Sequence, residues 1–486
     1  NPWLFNFNNY ADGQNSQIPR EVFYDKKINS IFSFLNLSYE NFLFLELSGR
    51  NDWSSSLPIE NNSYFYPSGS LSFIATEAFD LKLPWLNFLK LRGAYAQTAT
   101  DTNPFQVNFT YRTGSFGNNQ TAALPTTVPP IALKPQRANS YEVGTTMGLF
   151  DNKINIDFTY YYIRSYDQIL DAVLSTSSGA PSGIRINTGE LENKGIEAIV
   201  SATIFQRKDF FLQTGFNIGR NRNRVTSMGI GAKVKEIANI WGTEGPTISV
   251  REGDEFGTIM GFDYQYHENG QPILNEEGTH YLVTSNRIPI GNASPDFIAG
   301  WNMKAGYKGF TLSTLIDTKW GGDIYSGSYV SSLQNGQSPL TLLERQGGGL
   351  PYTDPAGNNR NVGVVLPGVY ADGTENQKVV HYLFKYIPNT GGWGPFLSTP
   401  GILENSYVKL REVTLSYHFN EKFNQRAKVF QDLTLSLVGR DLFYIYTSLP
   451  DRINPEGANG SGNAQGLEWA AFPGTRSFGV SLNASF

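Results

Sequence analysis

The dominant signal along the chain is an alternation of apolar and polar residues with period two. Ile154, Ile156, Phe158, Tyr160 and Tyr162 fall on one side, and Asn155, Asp157 and Thr159 on the other. This is the pattern of a β-strand with one face in apolar surroundings. Leu433, Leu435 and Leu437 repeat it against Thr434 and Ser436, as does the row Phe310, Leu312, Thr314 and Ile316. The final residues do so again, with Phe478, Val480, Leu482, Ala484 and Phe486 opposite Ser481, Asn483 and Ser485. About thirteen such segments are legible, each near the roughly 9–11 residues that a tilted membrane strand needs. No amphipathic helix of three turns stands out. Within 406–419 the apolar phase switches near Arg411 and Glu412, from Val408 and Leu410 to Val413, Leu415, Tyr417 and Phe419. A β-bulge or a strand projecting above the membrane each accounts for the switch.

The connections carry more information than the strands. Tight ones fall around 39–41, 151–153, 207–209 and 308–309, and moderate ones around 77–87 and 420–431. Between them lie long connections at 52–66, 98–137, 166–192, 223–294, 323–403 and 447–474. Short and long alternate down the chain, the asymmetry of outer-membrane barrels with short periplasmic turns and long extracellular loops. The parity places the end of the last strand, Phe486, in the periplasm. Aromatic clusters at Tyr160–Tyr162, Phe210–Phe211 and Phe443–Tyr446 sit near strand ends, where interfacial girdles form. The expected fold is therefore all-β, a large antiparallel transmembrane β-barrel.

Composition sharpens this expectation. Aromatic residues make up 14% of the 486 residues and charged residues only 17%, against about a quarter charged in ordinary domains. A net charge of −5 argues against nucleic-acid binding. There is no cysteine, which excludes disulfide scaffolds and thiolate chemistry and suits an oxidising compartment. The mean hydropathy of −0.31 is no test of a barrel, because lumen-facing and lipid-facing residues average out. No stretch reaches the apolar length of a membrane helix. The chain begins at Asn1 in the polar, aromatic stretch NPWLFNFNNYADGQ, which reads as an interior piece of a longer protein.

Several segments, in order over nearly 400 residues, resemble the SusC-like TonB-dependent outer-membrane transporters of Bacteroidetes. They are LKLRGAYAQTAT at 89–100, NSYEVGTTMGLFDNKINIDFTYYYIRSYDQIL at 139–170, and NKGIEAIVSA at 193–202. SPDFIAGWNMKAGYKGFTLSTLIDTKWGGDIYSGS at 294–328, with its GGDIY stretch, is the most specific. ENSYVKLREVTLSYHF at 404–419, LSLVGRDLFYIY at 435–446 and FPGTRSFGVSLNASF at 472–486 complete the series. The resemblance implies a 22-stranded barrel plugged by an N-terminal domain and energised by TonB with ExbB and ExbD. It also implies a SusD-like surface lipoprotein as lid and a bulky oligosaccharide or peptide as cargo. The chain departs from that pattern in carrying no plug and no TonB box, so the expectation is the C-terminal portion of the barrel, embedded in outer-membrane lipid. The C-terminal strand ending in an aromatic resembles the signal read by the outer-membrane assembly machinery.

Catalytic chemistry finds little support. His267, His280, His381 and His418 are scattered without metal-ligand spacing. The glycines at 229–231 and 347–350 read as turns. Asp354, Asn358 and Asn359 in DPAGNN offer oxygens to a calcium ion or, alternatively, form a Pro–Gly turn. No metal, cofactor or catalytic residue is assigned. The candidates for substrate contact are loop aromatics, Trp241, Trp320, Tyr325, Trp393 and Trp469, whose faces suit sugar C–H surfaces and partner interfaces; packing within the loops is the plainer role. Two other readings compete: a lid-less TonB-dependent receptor for a siderophore or cobalamin, and a surface-exposed carbohydrate-binding β-protein.

Overall fold

A computed structural model describes residues 24–117, 119–123, 125, 127–130, 132–172, 183–229, 234–386, 396–419, 430–457, 462 and 465–485. Thirteen strands, consecutive in space as in sequence once loop strands are set aside, pair antiparallel into one sheet. They are β1 (Ile28–Tyr39), β2 (Leu43–Ser54), β3 (Ser63–Ile74), β4 (Leu86–Thr100), β5 (Gln136–Leu149), β6 (Ile154–Ala172) and β7 (Gly183–Gln206). The series continues through β8 (Phe210–Ser227), β9 (Phe297–Tyr307), β10 (Phe310–Trp320), β11 (Tyr407–His418), β12 (Asp432–Thr447) and β13 (Ser477–Ser485). A two-residue strand, Thr127–Val128, pairs parallel with the start of β7. The longest helix among the described residues has eight residues, Gly327–Gln334. No pairing joins β1 to β13 among the described residues.

The register explains why alternation was so legible. Leu89, Met147, Ile156, Val200, Phe216, Trp301, Ile316, Leu410 and Phe443 are successive cross-strand partners from β4 to β12. One face of the sheet is thus a continuous apolar surface, and it is open: Phe216 is 45% exposed, Leu437 53% and Val480 72%. An apolar surface of this extent is tolerated only against another apolar medium. The opposite face is polar. Arg92 reaches Asp157 at 2.7 Å and Thr146 at 2.9 Å, and hydroxyl pairs such as Ser48–Ser68 (2.6 Å) and Ser416–Ser436 (2.8 Å) cross neighbouring strands. Aromatic rows bound the apolar face. Phe210, Tyr307, Phe310 and Tyr417 are register partners at the short-turn end, while Trp320 stacks between Phe297 and Tyr446 at the long-connection end.

The strands run further than their apolar stretches. β6 has 19 residues and β7 has 24, well beyond the roughly 9–11 that span a bilayer. The connection expected at 166–192 therefore shrinks, because both strands continue as a paired ribbon past Tyr166 and before Glu192. The one at 52–66 likewise reduces to the segment between Ser54 and Ser63. Past the girdle the strict alternation breaks in the β6–β7 ribbon, where Ile169 and Leu170 are adjacent and the register shifts twice between Asn187 and Leu191, so no period-two signal marks it. The phase switch in β11 is a bulge. Leu315 pairs Glu412 and Ile316 pairs Leu410, which leaves Arg411 as the extra residue against β10; against β12 the register also shifts here, with Leu410 opposite Phe443 and Glu412 opposite Arg440. The moderate connection at 420–431 lies almost entirely outside the described residues, as do Phe486 and the N-terminal stretch.

Candidate functional site: a loop core strapped to the wall

The connections between β8 and β9, β10 and β11, and β12 and β13 fold together. Val234–Asn239, Thr247–Arg251, Thr258–Gly261 and Ile288–Asn292 form a four-stranded antiparallel sheet. Asp323–Ser326 pairs antiparallel with Ile402–Glu404 and parallel with Leu467–Glu468. That small sheet ties the β10–β11 connection to the β12–β13 connection, and the four-stranded sheet of the β8–β9 connection joins them through a common core. Their shared core is Ile240, Ile248, Ile259, Tyr325, Val330 and Leu467, all nearly inaccessible.

Trp241 sits at its rim in a left-handed conformation (φ 62°) that starts the turn through Gly242. Its ring lies 5.0 Å from Trp469, 5.5 Å from Phe396 and 5.9 Å from Tyr325, centre to centre. Each such pair contributes about 0.5–1.5 kcal/mol beyond its buried area. Gly327 makes the close approach possible, since a Cβ there would stand 2.6 Å from Trp469 Cε3. Three of the loop aromatics picked from sequence, Trp241, Tyr325 and Trp469, therefore converge. Tyr325 is 0% exposed, so it supports the cluster from beneath instead of offering a free face. Burial pushes its phenol pKa well up, and its hydroxyl has no hydrogen-bond partner among the described residues. Trp320 stands apart, on the apolar face of β10 within the aromatic band. Trp393 lies outside the described residues.

Two carboxylates strap the last connection, between β12 and β13, to its surroundings. Glu468, 2% exposed, accepts from Ser328 Oγ at 2.6 Å, from Ser326 Oγ and from the Ala471 amide. This end is fixed to the loop core. Glu456 accepts from Arg411 Nη2 at 2.6 Å, from Lys409 Nζ and from Tyr444 Oη at 3.0 Å. This end is fixed to the wall. The bulge aims Arg411 at that point. Its guanidinium also grips Asp317 at 2.6 and 3.0 Å and Asp441 at 2.7 Å, so β10, β11, β12 and the strap share one ionic cluster. Burial of Glu456 opposes ionisation, but the hydrogen bonds from Arg411 and Lys409 outweigh it and hold the carboxyl below the usual range. Asn405 Nδ2 adds a bond to Pro455 O at 2.9 Å. Sequence reading did not find this cluster. Its one visible trace was the phase switch at Arg411–Glu412.

The remaining candidate chemistry resolves locally. Asp354 Oδ1 accepts from the Ala356 and Asn358 amides at 2.9 and 2.8 Å, which makes DPAGNN a side-chain-capped turn. His418 lies on β11 beside Thr434 and Asp432, and burial lowers the pKa of His280 and His381 in the loops. Among the described residues no group of three or more His, Asp or Glu is arranged to hold a metal ion.

Residues 3–358 match the family model for the TonB dependent receptor-like beta-barrel. TonB-dependent receptor P3 of Formosa agariphila is 25% identical over 515 aligned residues, covering 99% of this chain and 48% of that protein. TonB-dependent receptor SusC of Bacteroides thetaiotaomicron is 24% identical over 308, covering 58% of this chain and 30% of SusC. Among solved structures, the RagAB peptide transporter superposes with a TM-score of 0.73 at 18% identity, covering 99% of this chain and 50% of that one. The chain thus spans about half the length of the curated relatives that it matches along nearly its whole extent.

Proposed function

This chain belongs to the TonB dependent receptor-like beta-barrel family of the bacterial outer membrane, and from that membership we propose that it forms the C-terminal wall and the capping loops of an active importer. The cargo is a bulky nutrient, an oligosaccharide or a peptide, captured with a SusD-like surface lipoprotein and released inward on energy delivered by TonB, ExbB and ExbD. The observation that carries this reading is the continuous apolar face from β4 to β12, backed by a polar face and crowned at one end by the strapped loop core. Likeness to SusC and to a solved peptide transporter supports it.

In this arrangement the short turns and the end of β13 face the periplasm, and the long connections face outward. Polar groups such as Arg92, Asp157, Gln97 and Asn139 line the passage. Trp469, 38% exposed, and the partly buried Trp241 are the substrate-contacting pair, with Tyr325 as their support. Trp320 anchors the wall at the membrane interface. The chain itself carries out no covalent chemistry; its residues shape a channel and a mouth.

The test is mass spectrometry of the native protein purified from membranes in mild detergent. A polypeptide near twice the 54.0 kDa of this chain, accompanied by a surface lipoprotein, is the expected result. A soluble, unaccompanied polypeptide of 54.0 kDa would overturn the reading.

A further inference from the structure

Away from the Trp241 cluster, the two longest connections build a second, smaller unit. Ile273 bridges Val369, the Leu274 amide donates to Val369 O at 2.9 Å, and the Val369 amide donates to Pro272 O at 3.0 Å. Leu274, Leu366 and Val380 form its core, each at most 3% exposed. On this base lies a cleft of about 560 Å³ between the segment around Tyr264–Tyr281 and the segment around Val365–Asn376. That volume falls within the roughly 300–1,000 Å³ of small-ligand sites.

The cleft has two aromatic walls and a polar rim. Tyr264 and Tyr281 meet edge to face at 4.9 Å and 89°, and the Tyr281 hydroxyl is held on Pro367 O at 3.0 Å, which fixes both rings. Gln271 and Glu375 line the rim, and neither side chain has a hydrogen-bond partner among the described residues. No lysine or arginine lines the cleft, and nearby Lys378 spends its ammonium on Glu277 O at 2.6 Å. Anionic ligands therefore find no counter-charge. A cation finds one exposed carboxylate, whose attraction water largely screens. A neutral pyranose fits every feature: its C–H face covers an aromatic ring, while its hydroxyls both donate to Glu375 and exchange donor and acceptor roles with the Gln271 amide.

We propose that this cleft is a binding site for neutral oligosaccharide, separate from the Trp241–Trp469 pair. It does not depend on transport, because binding is read without an energised membrane. The experiment is saturation-transfer NMR on the intact purified transporter in detergent, with maltotriose and cellotriose as neutral probes, trilysine as the cationic probe and trigalacturonate as the anionic one. Transfer from a neutral trisaccharide is expected, weakened roughly tenfold in a Gln271→Ala/Glu375→Gln double variant whose exposed side chains leave the fold intact, as unchanged thermal unfolding will verify. Tyr264→Ala weakens it further. No transfer from either neutral probe, transfer unchanged in the double variant, or binding of trilysine alone would each overturn the assignment. A soluble, unaccompanied 54.0 kDa polypeptide that still gives transfer from a neutral trisaccharide would instead count against the transporter reading alone.

Discussion

The wall and the loop core are built from the same residue types in opposite senses. In the wall, Phe216 and Leu437 stand 45% and 53% exposed while polar side chains pair with one another on the inner face. In the loop core, Ile248 and Ile259 are 0% exposed and Leu467 1%. The wall's apolar groups are stabilised by lipid and its backbone by the strand ladder, whereas the loop core must supply its own apolar interior. A substitution therefore changes meaning with its region, and the comparison can be broken or sharpened in order of expected effect.

Tyr325→Ala empties the centre of the loop core, a loss of about 3–5 kcal/mol for a large aromatic. Limited proteolysis is expected to cut the long connections while the wall keeps its heat-modifiable migration; loss of both together would show that the two regions are one cooperative unit. Phe216→Arg, in the middle of the apolar face of β8, is expected to cost roughly 2–4 kcal/mol in lipid. Urea titration in vesicles reads it as a lowered midpoint, with the loop core's protease resistance unchanged in the folded fraction. Glu456→Gln leaves both regions folded and releases the strap between them. Hydrogen exchange is expected to rise around Ser448–Gly457 and stay level around Leu467, where Glu468 still holds. The smallest effect is the pH response of that strap. The folded Glu456 pKa is depressed, so its stabilising contribution is complete at neutral pH and is lost as pH falls from the ordinary value of 4.5 through the lower folded one. Exchange in the strap should therefore be flat from pH 7 to 5, after correction for intrinsic rates, and accelerate only below that window.

How much of this was legible beforehand differs between the same two regions. The wall announced itself, because each strand repeats its pattern within a few residues and the number of segments read matches the strands that form. The pattern fails at the ends, where β6 and β7 leave the apolar band and continue as a paired ribbon without strict alternation. Loop aromatics were visible as residues but not as a cluster. Trp320 has the same chemistry as Trp241, yet one residue stacks along the wall and the other closes a core. The Arg411 cluster left only a slipped phase as its trace.

Sequence alone determined the strand period and which segments form the wall, and hence the family of fold. These depend on backbone geometry and on which face meets an apolar medium, and both are written in neighbouring residues. Only the tertiary structure decided that residues 241, 325 and 469 share one core, that a bulge turns Arg411 onto Asp317, Asp441 and Glu456, and that Glu456 and Glu468 fasten one strap at two points. Those contacts close loops of tens to hundreds of residues, and no local pattern encodes which distant segment will meet which.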